Sequence, residues 1–402
     1  MTFSLNALSL NQARMLILSA LCFVLPMRAS FIYLFSALLL LVWAAEGRRL
    51  ERLTEVFHSK LCLAFLVYYS VFLLAMLWTE DKTAGWHMVD RYTPILLFLL
   101  FWSSAEPRYQ ERYLSAFLAG LSVCAILAHY NWLQLHWFPD WPHGVRVSTK
   151  SPDETAPFVD RIMYTPILAI GAYFSLRRAV LNKEIRKRAF AAVIAGLLIS
   201  NLVFSDGRAG MVMFAVLFGA VVFERVKARG IALVLCAILL PLTFFTAYNT
   251  QHQFRARVDV AISDIKAFDQ DPNTSLGLRM VYWSTSFHLF LQHPLYGVGS
   301  GDFQTEYARI KPERWKSTPD SFNPHNQYLL TAATTGLLGL AALINAFWVA
   351  ARLSPDMRTK AVLLGFAVVC LFESYLWRSN TSLTFSAILA VLMAANKPRT
   401  NS

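Results

Sequence analysis

The chain has 402 residues, of which 56% are hydrophobic and only 15% charged; a soluble domain of this size needs more polar surface to stay in solution. Its 37 Lys and Arg against 25 Asp and Glu give a formal net charge of +12, which in a soluble protein would suggest nucleic acid. Here the cations punctuate long apolar blocks, the pattern of membrane spans, so the bilayer is the expected partner and nucleic acid is not.

In chain order the apolar blocks fall at 13–27, 30–45, 61–78, 92–105, 113–135, 161–176, 189–205, 208–224, 230–248, 326–351, 361–377 and 381–396. Crossing a bilayer core takes roughly 20 apolar residues, so the expectation is an all-α polytopic membrane protein with about twelve transmembrane helices. Residues 1–248 would carry nine of them, 249–325 one large extracytoplasmic loop, and 326–402 the last three and a tail. The first block is followed by no small-residue cleavage site and reads as a retained span. Cys22, Cys62, Cys124, Cys236 and Cys370 all lie in apolar blocks without metal-ligand spacing and read as small buried hydrophobes.

Alternate connections differ sharply in basic charge. Arg49, Arg52 and Lys60, then Arg108 and Arg112, then Arg177, Arg178, Lys183 and Arg186 fall on one side, as do Arg225, Arg229, Arg352, Arg358, Lys360 and Lys397. The other side holds scattered cations such as Arg28, Lys82, Arg91, Arg208 and Arg378. The positive-inside rule makes the first side, with both termini, cytoplasmic.

Within 249–325, Thr274 or Ser275 would cap an amphipathic helix over 278–291 that stops at His293-Pro294. A glycine-spaced turn, Gly297-Val-Gly299-Ser-Gly301, and a second helix over 302–310 follow, and a loop leads to Asn323-Pro324-His325. The glycines follow no strand, so they are not a dinucleotide fingerprint. Asp269-Gln-Asp271 has the form of a metal-holding pair, but it lies outside the compartment of nucleotide sugars and reads as loop.

Three residues stand out. Arg208 follows Ser205-Asp206-Gly207 at the capped start of a span, Arg279 lies in the first turn of the amphipathic helix, and His325 follows a capping Asn and a Pro suited to the first helical position. A cation is unfavourable at a helix N-terminus, which already carries about half a positive charge; two arginines there make a setting for phosphate. The bland alternatives are that Arg208 snorkels or pairs with Asp206, that Arg279 is merely solvated, and that His325 bonds a backbone group at a span entry. Glu373, an acid deep in a predicted span, is costly there and has Arg378 as a partner about one turn away.

Ser205-Asp-Gly-Arg208, Gly277-Leu-Arg279-x3-Trp283, Pro294-Leu-Tyr-Gly297-Val-Gly299-x-Gly301 and Pro324-His325-Asn326-x-Tyr328-Leu329 together resemble the O-antigen ligase family of lipopolysaccharide assembly, within a superfamily that includes O-antigen polymerases. One departure is the spacing of Ser205 and Arg208, since relatives often have Ser directly before Arg. The resemblance implies a GT-C-like glycosyltransferase of the Gram-negative inner membrane. It implies a donor O-antigen on undecaprenyl diphosphate, a sugar hydroxyl of lipid A-core as acceptor, and inverting transfer with no metal and no cofactor. Carried onto this chain, it makes Arg208 and Arg279 the diphosphate ligands and His325 the base, with Asn326, Tyr328 and Arg161 also binding substrate. A polymerase and, less close, a lipid or sugar transporter are the competing readings; a transporter would show repeats and broken mid-membrane helices.

Overall fold

Each apolar block becomes a helix. The computed structural model describes residues 9–47, 49–138, 146–150, 154–205, 207–226, 228–250 and 252–397, and among them every regular element is helical. The first seven helices are α1 (Leu10–Val24), α2 (Ala29–Ala45), α3 (Arg49–His58), α4 (Lys60–Ala75), α5 (Lys82–Arg91), α6 (Thr93–Ser104) and α7 (Gln110–Trp137). Next come α8 (Arg161–Leu181), α9 (Ile185–Phe204), α10 (Arg208–Arg225), α11 (Arg229–Thr250), α12 (His252–Lys266), α13 (Ser275–Gln292) and α14 (Phe303–Ile310). The last are α15 (Gln327–Arg352), α16 (Met357–Val369) and α17 (Ser379–Met393). Side chains start many of them. Ser9, Ser59, Asp81, Asp160, Thr274, Asn326 and Asp356 each accept an otherwise orphaned N–H in the first turn.

By length and composition, residues 107–137, α9 and α15 are able to cross a membrane, and α2 with α3, bent by 114°, would make a fourth. Among the described residues, α1, α4 and the Arg229–Leu239 part of α11 are shorter apolar helices.

The helices share two well-marked ends. At one, Arg14 pairs with Glu46 at 2.6 Å and with Glu106, and Arg52 also reaches Glu46. Arg358 donates to Glu111 at 2.6 Å, Arg178 to the same carboxylate at 2.7 Å, and Arg177 Nε to Glu224 at 2.7 Å. Lys397 Nζ donates to the carbonyls of Ser103 and Ala105, closing the end of α6. The ionic end therefore gathers the starts of α1, α7 and α16 with the ends of α2, α6, α8, α10 and α17, and its cations belong to the side rich in basic charge.

At the opposite end the loop after α13 is stitched into the bundle. Helix α15 breaks at Gly336, whose φ of 65° and ψ of −158° are not helical. Backbone from the glycine-spaced turn takes up the groups released there: Val298 N donates to Ala333 O at 3.0 Å and Gly299 N to Thr334 O at 2.9 Å. In return Leu337 N donates to Pro294 O at 2.8 Å. An interrupted helix is tolerated at membrane depth only when such partners exist. A Cβ at Gly297 would lie 2.4 Å from the Thr334 and Thr335 backbone, so the turn needs glycine for close approach as well as for its φ of 68°. The span expected over 326–351 is therefore present as α15, with a break at Gly336 that its hydropathy does not show. Asp302 ties the loop down further, its carboxylate accepting from Glu80 N and Asp81 N, both at 2.8 Å.

Candidate active site

Asn326 is the N-cap of α15; its Oδ1 accepts from Tyr328 N at 3.0 Å and Leu329 N at 3.1 Å. His325 therefore precedes the helix rather than beginning it, with a φ of 53°. Asn323, expected to be the cap, instead accepts from His325 N at 2.9 Å and from Ser374 Oγ at 2.7 Å. The left-handed backbone of His325 explains the difference: it interrupts the helix that Pro324 would begin, and Asn326, the next residue, becomes the cap.

The His325 ring faces Glu373. Its Nδ1 lies 2.8 Å from Oε2 of that carboxylate, which also receives Arg378 Nη2 at 3.1 Å. The other oxygen, Oε1, accepts from Ser374 N at 2.9 Å and Asn323 Nδ2 at 3.3 Å. Helix α16 ends at Val369, so Glu373 sits in the connection 370–378, not deep in a span as expected. It is 1% exposed. Burial pushes its carboxyl up, but the bond from His325 and the charge of Arg378 more than offset that and hold it at about 2. An ionised carboxylate only accepts, so a neutral imidazole here carries its proton on Nδ1 and leaves the Nε2 lone pair free.

The partners around the pair are equally fixed. Gln327 is fully buried; its N–H donates to Cys370 O at 2.8 Å, its Oε1 accepts from Leu376 N at 3.0 Å, and its Nε2 donates to Tyr92 OH at 2.7 Å. This locks the connection bearing Glu373 to the helix that follows His325. Tyr282 of α13 stacks on the imidazole with centroids 6.0 Å apart.

Arg279 is the fifth residue of α13, one turn before Tyr282, so it stands in the second turn rather than the first because the helix already begins at Ser275. It is half-buried and within electrostatic reach of the Tyr375 hydroxyl, which donates to Ile162 O at 3.0 Å. Arg161 is the neighbour of Ile162 and the first residue of α8. Arg208 begins α10 and is exposed; the N-cap is Gly207, where a Cβ would lie 2.0 Å from Thr165 Oγ1 on α8. Arg161, Arg208, Arg279 and His325 are therefore all carried at one end of the bundle, opposite the ionic end. Ser205 closes α9 rather than capping α10, and Asp206 lies outside the described residues.

Two expected ligands are already engaged within the fold. The Asn326 carbonyl serves as the cap, and Tyr328 OH donates to Ala367 O at 2.8 Å. Asp271 accepts from Asn273 N in the turn before α13, and among the described residues no group of His, Cys, Asp and Glu is placed to hold a metal ion. Sequence reasoning missed the bond between His325 and Glu373, the clamp by Asn323 and Gln327, and the stacked Tyr282. The acid in an apolar block was the available signal.

Chemically, the arrangement offers an imidazole oriented to take a proton, with two arginines at the same end of the bundle to meet an anion. Residues 190–344 match the family described as O-antigen ligase, a stretch that contains Arg208, Arg279 and His325 and stops before Glu373. The chain is also 24% identical over 294 residues to an uncharacterized protein of Haemophilus influenzae, covering 71% of this chain and 70% of that one.

Proposed function

From the premise that residues 190–344 form a domain of the O-antigen ligase superfamily in an integral membrane protein, we propose that the chain moves an O-antigen glycan from undecaprenyl diphosphate to a sugar hydroxyl of lipid A-core. The reaction takes place at the periplasmic face of the inner membrane. The ionic end of the bundle is then cytoplasmic with both termini, about twelve helices cross the bilayer in a GT-C-like arrangement, and 249–325 is the periplasmic loop. The excess of basic residues at the ionic end supports this orientation.

In the proposed step the acceptor oxygen attacks the anomeric carbon from the face opposite the diphosphate, inverting that centre. The new C–O bond forms as the bond to the phosphate oxygen breaks, and the electron pair leaves on undecaprenyl diphosphate. His325 Nε2 takes the hydroxyl proton. Arg208 and Arg279 stabilise the negative charge that develops on the diphosphate, and Arg161, the first residue of α8 at the same end of the bundle, is a third cation. The observation that carries the reading is the His325–Glu373 contact of 2.8 Å, which engages Nδ1 and leaves Nε2 as the nitrogen able to take a proton.

A deletion strain tests it against polymerase activity, which uses the same donor. Loss of a ligase leaves polymerised glycan on the lipid carrier and bare core. Loss of a polymerase leaves single repeat units attached to the core.

A further inference from the structure

Two aromatic side chains adjoin in sequence the residues that hold Glu373 and take no part in the chemistry above. Phe322 precedes Asn323, which donates to Glu373 Oε1, and Trp377 precedes Arg378, which donates to Oε2. Their rings meet with centroids 5.8 Å apart and planes inclined by 37°. The guanidinium of Arg91 lies over the Trp377 ring at 4.8 Å.

Phe322 is 59% exposed although Ser321 and Asn323 on either side are 6% and 1% exposed. Ser321 Oγ donates to Asn323 O at 2.6 Å, so the backbone beneath the ring is pinned. A phenyl ring held outward from a rigid, buried turn, beside a base, has the form of a binding surface rather than a loose loop tip.

We propose that Phe322 and Trp377 form a platform on which a pyranose ring of the acceptor stacks, placing its hydroxyl before His325 Nε2; this rests on the ligase reading of the site. The axial C–H face of a pyranose is apolar and slightly positive, and it packs against the negative face of an aromatic ring. The rim of the sugar carries hydroxyls, which the exposed Arg91 guanidinium meets as a donor. The acceptor rather than the donor glycan is assigned here because both rings adjoin residues bonded to the base's carboxylate.

The test is equilibrium binding of delipidated core oligosaccharide to the purified full-length protein in detergent, alongside steady-state transfer, for wild type, Phe322→Tyr, Phe322→Leu and Trp377→Leu. Phe322 is exposed, so its leucine variant is expected to fold. The leucine variants should weaken core binding about 5- to 10-fold and raise KM for the acceptor in step, with kcat and donor affinity within about twofold; Phe322→Tyr should resemble wild type. Phe322→Leu binding core as tightly as wild type would mean that the ring only anchors in the headgroup region, and would overturn the platform. So would weakened affinity for the lipid-linked donor alone, or a wild-type protein that binds no oligosaccharide. If wild type binds core, the leucine variants lose it, and no glycan is transferred, the platform stands and the ligase reading fails.

Discussion

His325 and Glu373 are 48 residues apart in sequence, yet the imidazole Nδ1 and the carboxylate Oε2 lie 2.8 Å apart. Glu373 thereby engages one ring nitrogen and leaves Nε2 for the proposed proton transfer. Glu373→Gln is expected to keep the fold but lower transfer by up to about 10,000-fold, the loss when the carboxylate orienting a catalytic histidine becomes an amide. Glu373→Ala also strands the Arg378 guanidinium and should destabilise the protein by about 3–5 kcal/mol. Thermal unfolding in detergent, measured beside single-turnover transfer, separates the two variants.

The low value of the Glu373 carboxyl carries a pH dependence with a definite sign. A carboxyl depressed on folding stabilises the native state above its unfolded value, about 4.3, and that contribution disappears as pH falls through its folded value, about 2. The gap in unfolding midpoint between wild type and Glu373→Gln should therefore shrink below about pH 4 as the carboxyl takes up its proton. A gap that persists unchanged from about pH 5 to 3 would contradict the assignment.

Arg208→Ala and Arg279→Ala should each lower transfer by about 100- to 1000-fold while the protein still inserts and accumulates. Lysine at either position should restore part of the rate, since it keeps the charge but not the bidentate fork. Near-normal transfer by both alanine variants, assayed with lipid-linked glycan and core, would remove the diphosphate-binding role.

The glycine-spaced turn makes a different kind of prediction. Gly297→Ala places a methyl group 2.4 Å from the α15 backbone at a residue of positive φ. It should cost about 1–3 kcal/mol in strain and clash. The expected result is a lower unfolding midpoint and a poorer yield of monodisperse protein. A stable but inactive variant would instead make the turn a substrate-binding loop.

Much of this architecture was legible in the chain. Each of the twelve apolar blocks contains a helix, although 361–377 is helical only to Val369; Thr274 is the cap of α13, and His293 closes that helix, because hydropathy and capping are local properties. The pairing of Glu373 with Arg378 was also readable, since five residues separate them. The break at Gly336 was not. Its released backbone groups are satisfied by residues 294–299, some forty positions earlier, and no local pattern announces that. The His325–Glu373 contact escaped for the same reason, and His325 came to precede its helix because Asn326, not Asn323, is the cap. The resemblance marked the residues with chemistry; only tertiary structure says how they are held.

The most direct measurement is single-turnover transfer by His325→Gln, compared with wild type from pH 5 to 8, using purified protein, lipid-linked glycan, core acceptor and chelator. Glutamine keeps a hydrogen bond but cannot take the acceptor proton. If His325 is the base, the variant should fall about 100- to 10,000-fold below wild type across the range, with affinity for the donor within about twofold because the arginines hold the diphosphate. A variant within about tenfold of wild type would contradict the account and leave His325 as a residue that merely orients the acceptor.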